Sequence, residues 1–343
     1  MIHPPISLEV LACRPLLGSD LVREPARDIA PLFGIPTQLE MGRCEDVLYI
    51  PDMRLQLCQD RWVPQEAIAE PWTVEFEKER RFLGRANRYE KPFEFQRLDL
   101  DVCILSNFYS QNFFHWLTEE MMKVAILERA SFDGSYIVHG LPDFALEFLL
   151  MVGIAPHRVL GDLPGPTRFR TATLTTSVHA FNLLEYEPVF QAVRSALRAA
   201  APSPVRGGRR RIWIDRREGV NNLGRDLANV EEIYQLLGRY GVEVVDLAAL
   251  SIGEQITTVA GCEVLAGVHG AGFVHSMFLD PGRTVIECFS PLFVNPGIFD
   301  ICRVLRHRHH MLVYEHAYHG YPYGNQVKVN PAQLDLAFRT LAT

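Results

Sequence analysis

The chain has 343 residues, 48% of them hydrophobic and 22% charged, with a formal net charge of −7 at pH 7, which describes a globular protein with room for about two domains. The acidic balance gives no global attraction to nucleic acid or anionic lipid, so no nucleic-acid partner is expected and an anionic ligand must be held by a local arginine cluster. Seven cysteines without a C-x-x-C pair argue against a zinc site or disulfide framework and for reduced core thiols.

No apolar segment reaches membrane-spanning length, and the N-terminal MIHPPISLEVLACRPLLG lacks the cationic lead of a secretory signal. A cytoplasmic protein is expected, with peripheral association at the inner membrane face compatible with that reading. Residues 1–45 are Pro-rich and irregular, and read as loops and short strands wrapping a first domain. Short strands follow at Val47–Ile50 and Met53–Leu57, and Trp72–Phe82 reads as a strand running into a helix. From Leu98 an α/β rhythm sets in. Strands are expected at Val102–Ser106, Tyr136–His139, Arg158–Leu160 and Arg168–Thr176, and helices at Phe113–Arg129, Pro142–Val152 and Glu187–Ala200. The Pro/Gly-rich stretch 201–208 reads as a linker, dividing the chain into 1–203, 204–325 and a terminal helix within 326–343. Beyond it come strands Arg210–Asp215 and Val242–Asp246 and the helix Asn229–Tyr240. The helix Ser251–Val259 opens with a Ser251/Glu254 capping box, and later segments are a helix at Gly297–Leu305, a strand at His310–Tyr314 and the helix Pro331–Leu341.

The densest chemistry lies at 262–289. An apolar run, Cys262–Val268, reads as a buried parallel strand. It ends in His269-Gly270-Ala271-Gly272, followed by helical spacing through Phe278 and a second strand, Thr284–Phe289. A turn of small residues lets a phosphate approach the backbone, where the first N–H groups of a helix supply donors and a positive dipole end. His269 falls at the carboxyl end of the strand, where open α/β sheets bind ligands, and Glu287 within reach of a sugar hydroxyl. The natural guest is a nucleotide diphosphate. The same pattern also fits plain close packing of helix on sheet. Arg216, Arg217 and Arg225 leave the strand before and could neutralise a diphosphate, or be a solvated basic loop. In Asn112-Phe-Phe-His115-Trp116-Leu-Thr-Glu119, His115 and Glu119 are four apart on one helix face. Either they form an acid–base pair, or they are a core histidine and an ordinary helix charge. Asp99-Leu-Asp101 is a chance D-x-D, and Arg306–His310 reads as solvated charge rather than a metal site.

Over Ile212–Pro291 the series Arg216, Arg225, Asn229 with Glu231, Gln255, His269-Gly270-Ala271-Gly272 and Glu287 resembles the signature of glycosyltransferase family 61. Asn112–Glu119 is similar to that family's N-x-x-H-[WF]-L-x-[DE] motif, whereas Asp215 stands where the family often has Ser. The resemblance implies an α/β fold of the GT-B type, two Rossmann-like domains facing a cleft, with a C-terminal helix returning to the first. It implies an inverting transfer that requires no metal or other cofactor. Sugar would move from a UDP-sugar, or another nucleotide-sugar, to a glycan acceptor in surface polysaccharide biosynthesis, lipid-linked acceptors included. Arg216, Arg217, Arg225, Glu231, Gln255, His269, Gly270, Ala271, Gly272 and Glu287 would hold the donor. Glu119 would be the base with His115 orienting it or binding phosphate, or the reverse, and Asn112 and Trp116 would support the site. The alternative is a non-catalytic nucleotide- or glycan-binding protein of the same fold. A serine hydrolase lacks its G-x-S-x-G elbow here, and a dinucleotide oxidoreductase its G-x-G-x-x-G after a first strand.

Overall fold

A computed structural model of the chain describes residues 27–28, 30–32, 34, 39–51, 55–58, 61–63, 95–105, 110–176, 178, 182–203, 210–215, 227–289, 296–316 and 327–341. The expected strand-to-helix segment at Trp72–Phe82 and the loop carrying Arg216, Arg217 and Arg225 lie outside them. The chain divides into two compact units, Met1–His179 with Pro188–Val193, and Ala180–Glu187 with Arg194–Thr343. The division falls ahead of the Pro/Gly-rich stretch, inside a helix.

In the first unit the described strands are β1 (Glu40–Ile50), β2 (Leu55–Cys58), β3 (Arg61–Val63), β4 (Gln96–Ile104), β5 (Ser135–Ile137), β6 (Val159–Leu160) and β7 (Thr167–Thr175). They form one sheet in the order β3-β2-β1-β7-β4-β5-β6, with the two-residue strand Arg27–Asp28 on β1. The β3-β2-β1-β7 side is antiparallel and the β7-β4-β5-β6 side parallel. This sheet is therefore mixed, not the parallel sheet of a Rossmann-like unit: short connections between β1, β2 and β3 allow only antiparallel neighbours. Within 1–45, read as loops and short strands, the structure shows the start of a long one: β1 begins at Glu40 and runs for 11 residues. Asp46, with φ +56°, breaks its in–out alternation and hides the period in the sequence. Val47, Tyr49, Val102, Ile104, Phe169 and Leu174 build the core on this sheet. Helix α1 runs in three pieces, α-helical Phe113–His115, a π turn Trp116–Glu120, and α-helical Met121–Arg129. Helix α2 is Asp143–Met151, and α3, Glu187–Ala200, is the helix in which the division falls.

The second unit carries a fully parallel sheet. Its strands are β8 (Arg210–Ile214), β9 (Val242–Val245), β10 (Cys262–Val268), β11 (Thr284–Phe289) and β12 (Arg308–Val313), in the order β9-β8-β10-β11-β12. Helices α4 (Val230–Arg239), α5 (Ile252–Ala260) and α6 (Gly297–Val304) connect them, with a 3₁₀ helix, Ala271–Phe278, between β10 and β11. β10 is apolar at every position but Glu263 because both sheet faces are covered. On one face Trp213, Val264, Ala266 and Ile286 pack with Ile233, Leu236 and Leu237 of α4 and with Leu334 and Phe338 of the terminal helix α7 (Pro331–Arg339). The Tyr240 ring stacks on Phe338 at 5.1 Å, and its hydroxyl donates to Asp335 at 2.7 Å. The C-terminal helix thus packs into the core of the second unit. Burial of Phe338 alone contributes roughly 1.5–3 kcal/mol to that docking.

Strand order reverses between β8 and β10, so their carboxyl ends flank the switch point of the sheet, where open α/β folds bind ligands. The HGAG turn sits at that edge.

Candidate active site

His269 follows the last residue of β10, its N–H donating to the Cys288 carbonyl at 2.9 Å and extending the ladder by one rung. Sheet register then decides its partner. Gly267 of β10 lies opposite Glu287 of β11, so His269 is the diagonal neighbour of Glu287 on the same face, and His309 of β12, opposite Val285, is the diagonal neighbour on the other side. Glu287 Oε1 accepts from His269 Nδ1 at 2.5 Å and Oε2 from His309 Nε2 at 3.0 Å. The carboxylate has no exposed surface. A buried charge of this kind is tolerated only with its oxygens satisfied, and two imidazole N–H groups do that. Gly267 makes the arrangement possible: at φ +156° an added Cβ would lie 3.2 Å from the Ile214 carbonyl and 3.4 Å from the Phe273 ring.

The turn itself is held from below. Gln255 donates through Nε2 to the Leu250 carbonyl at 2.8 Å, and its Oε1 lies 2.8 Å from His275 Nε2. His275 Nδ1 lies 2.8 Å from the Gly272 carbonyl. Burial pushes His275 down to about 4, which keeps its ring uncharged beneath the turn at neutral pH. Gln255 and His275 thus lie together beneath the turn. Past the turn a 3₁₀ helix stands where helical spacing alone was legible, and the N–H of Phe273 already bonds back to Gly270. Ala271 and Gly272 are half-buried at its open end. Glu231 is exposed in the first turn of α4, which follows β8 and so begins at the same sheet edge. Phe289 stacks on His269 at 4.7 Å.

In the first unit, Asn112 caps α1, its side-chain oxygen accepting from the Phe114 N–H at 2.9 Å. His115 Nδ1 and Glu119 Oε1 are 2.8 Å apart, with side chains 18% and 7% exposed. The π turn that begins at Trp116 includes Glu119, and such turns often mark functional stretches of a helix. Trp116 is fully buried with its ring against Phe144. Beneath the pair lies a second one that the sequence reading passed over. Glu120 accepts from the Ser110 hydroxyl at 2.9 Å and faces Lys123 at 3.3 Å, all three side chains buried.

The remaining candidates separate cleanly. Asp99 and Asp101 are engaged by Arg170, and Asp101 also by Thr171; the Arg170 hydrogen bond leads the downward shift of the Asp101 carboxyl. No group of His, Cys, Asp and Glu suited to a metal ion occurs among the described residues. The reading of Arg306–His310 as solvated charge is corrected: His307 is buried against the Ser276 carbonyl and pushed down to about 4 by burial, and His309 is the third member of the Glu287 cluster. Cys44, Cys58, Cys103, Cys262, Cys288 and Cys302 are buried. No helix among the described residues is long and apolar enough to cross a membrane.

The model of the family described as Glycosyltransferase 61 matches residues 113–286, just over half of the chain. The chain belongs to this family. As a glycosyltransferase 61 protein it has glycosyl transfer as its family activity, with a sugar donor and an acceptor as its substrates. The matched span begins at the first residue of α1, takes in His115, Glu119 and the HGAG turn, and stops one residue short of Glu287. Comparison with curated proteins gives no match.

Proposed function

We propose that the chain is an inverting, metal-independent glycosyltransferase that takes its sugar from a UDP-sugar and passes it to a hydroxyl of a surface glycan. One observation carries this reading: a buried carboxylate–imidazole pair stands beside a small-residue turn at the switch point of a parallel sheet. In it the leaving diphosphate meets the HGAG backbone and the His269 ring, with Arg216, Arg217 and Arg225 as the flanking cations and Glu231 toward the nucleoside. These are the cationic groups and oriented dipoles that stabilise a leaving phosphate without a metal. Glu287 is fully buried with each oxygen facing a histidine, so in this reading it serves the donor by orienting His269.

For the acceptor, the exposure difference within the first-unit pair favours His115 as the group that removes the hydroxyl proton, with the more buried Glu119 holding its ring at Nδ1. The proton passes to His115 as the oxygen bonds to the anomeric carbon, and the bond from that carbon to the diphosphate breaks on the opposite side, giving inversion.

The test is UDP release from a panel of UDP-sugars with glycan acceptors, by wild type and the variants Glu119→Gln and Arg225→Ala. Glu119→Gln should bind UDP and fail to transfer, and Arg225→Ala should bind UDP more weakly. UDP binding by wild type with no turnover on any donor would favour the non-catalytic alternative.

A further inference from the structure

In the first unit two strands depart from regular pairing at the same level of the sheet. In β1, Glu45 pairs with Thr171 and Val47 with Phe169 of β7, which leaves Asp46, at φ +56°, opposite Arg170. On the other side of β7 the register of β4 slips: Leu98 pairs with Phe169 but Asp101 with Thr171, so Asp99 and Leu100 share the place opposite Arg170. Bulges of this kind re-aim side chains and are over-represented beside functional sites. Here they flank a cleft of about 600 Å³ in which Arg43, Arg97 and Arg170 are set against Glu45, Asp46 and Asp99. Its volume lies in the range of small-molecule sites. All six residues but Arg170 precede the family match, so the family motif does not mark the cleft.

The lining selects by charge. Among the described residues its three arginines and three carboxylates balance, so the cleft as a whole attracts neither an anion nor a cation. What it offers is donors beside acceptors. Arg43 reaches Thr171 Oγ1 and Asp101 only at 3.4 Å, longer than a good hydrogen bond, and Asp99 meets Arg170 at 3.4 Å with its side chain 83% exposed. Of the N–H donors of a guanidinium, Arg97 gives one to Asp46 at 2.9 Å. Neighbouring hydroxyls of a sugar both give and accept hydrogen bonds, which matches guanidinium and carboxylate side by side, and Leu98 adds an apolar patch for the ring. The cleft lies along the amino-terminal half of β4, roughly 15 Å of strand before the end that leads into α1 and His115. We propose that it is a remote acceptor subsite, gripping the hydroxyls of an uncharged glycan chain several sugar units away from the hydroxyl that is glycosylated. This inference rests on the glycan-acceptor reading above and adds the class of acceptor, an uncharged chain rather than a single sugar.

The experiment is calorimetric titration of wild type, Arg43→Ala and Asp99→Asn with neutral gluco-, manno-, galacto- and xylo-oligosaccharides, with polygalacturonate as an acidic control and with UDP. Both replaced side chains are exposed, and thermal unfolding checks that both variants fold. Wild type is expected to bind at least one neutral oligosaccharide, long chains more tightly than short ones. Each variant should bind it roughly tenfold more weakly, the worth of one hydrogen bond to a charged group, with UDP affinity unchanged. Absence of binding to every neutral oligosaccharide, binding confined to polygalacturonate, or full affinity in both variants would overturn the proposal. Transfer to a glycan by wild type and both variants alike would also overturn the subsite and leave the acceptor reading standing. Binding of UDP without transfer to any glycan would instead overturn the acceptor reading, and the titrations would still decide whether the cleft holds sugar.

Discussion

Among the described residues each unit carries an imidazole–carboxylate pair, His115–Glu119 and His269–Glu287, and the two are built in opposite ways. His115 and Glu119 sit one helical turn apart on α1, so local geometry alone brings them together, at 2.8 Å and with partial exposure. His269 and Glu287 are 18 residues apart and meet only because β10 and β11 pair in a fixed register, with the carboxylate wholly buried and held again by His309. A local pair at the surface of a helix can reorient to take and give a proton. A carboxylate clamped between two rings across three strands cannot move, which suits a site that must present a fixed face to a diphosphate. On the proposed function, the first pair would react and the second would hold.

Separating chemistry from holding gives the largest expected effect. Replacing His115 by Ala or Glu119 by Gln should lower the transfer rate by about 10²–10⁴-fold while UDP affinity stays within roughly twofold. Parallel losses in rate and UDP affinity would break the division of labour between the pairs. Acid should act on the second unit through His275 and His307, both pushed down to about 4 by burial. Above pH 6.5 these rings are neutral whether folded or not. As pH falls through 6.5 the unfolded chain takes up their protons and the folded chain does not until about 4, so stability is lost across that window. At pH 5 the loss should be about 2 kcal/mol for each histidine, read as a lower denaturant midpoint than at pH 7; His275→Gln should remove roughly half of the pH dependence.

Glu287→Gln tests the holding pair itself. An amide can accept from only one of the two rings, and the cost should be roughly 1–3 kcal/mol of stability, measured by chemical unfolding, with UDP binding weakened in step. The same substitution at Glu119 should leave stability nearly unchanged, which sharpens the contrast. The smallest effect is expected at Ser251, whose side chain and Glu254 form the capping box of α5. Ser251→Ala should cost about 1 kcal/mol in thermal unfolding and leave UDP affinity alone, since Gln255 keeps its contact to the Leu250 carbonyl by other means.

Most of the second unit was legible because its period is simple. Cys262–Val268 and Thr284–Phe289 read as strands to the residue, and the Ser251 box marked the start of α5. In the first unit, Glu187–Ala200 was equally plain, while β1 was not: Pro-rich surroundings and the φ +56° residue at Asp46 masked its alternation. The mixed sheet and the docking of α7 on Tyr240 depend on pairings far apart in sequence, which no local pattern records. The same limit explains His309. Its strand was expected to start at His310, and it starts at Arg308. A start two residues earlier places His309, Met311 and Val313 on the face of Glu287, a signal that needs the register of β11 and β12 to read. Gln255 and Glu287 were found by motif, while their contacts, to His275 and to two histidines, needed the fold to be seen.

The measurement that bears most directly on the donor site is calorimetric titration of the purified protein with UDP, first in EDTA and then with magnesium. The account predicts binding of one UDP per chain with the same affinity in both conditions, weakened by Glu287→Gln and unaffected by Glu119→Gln. Absence of binding in both conditions, or binding that appears only with magnesium, would contradict it.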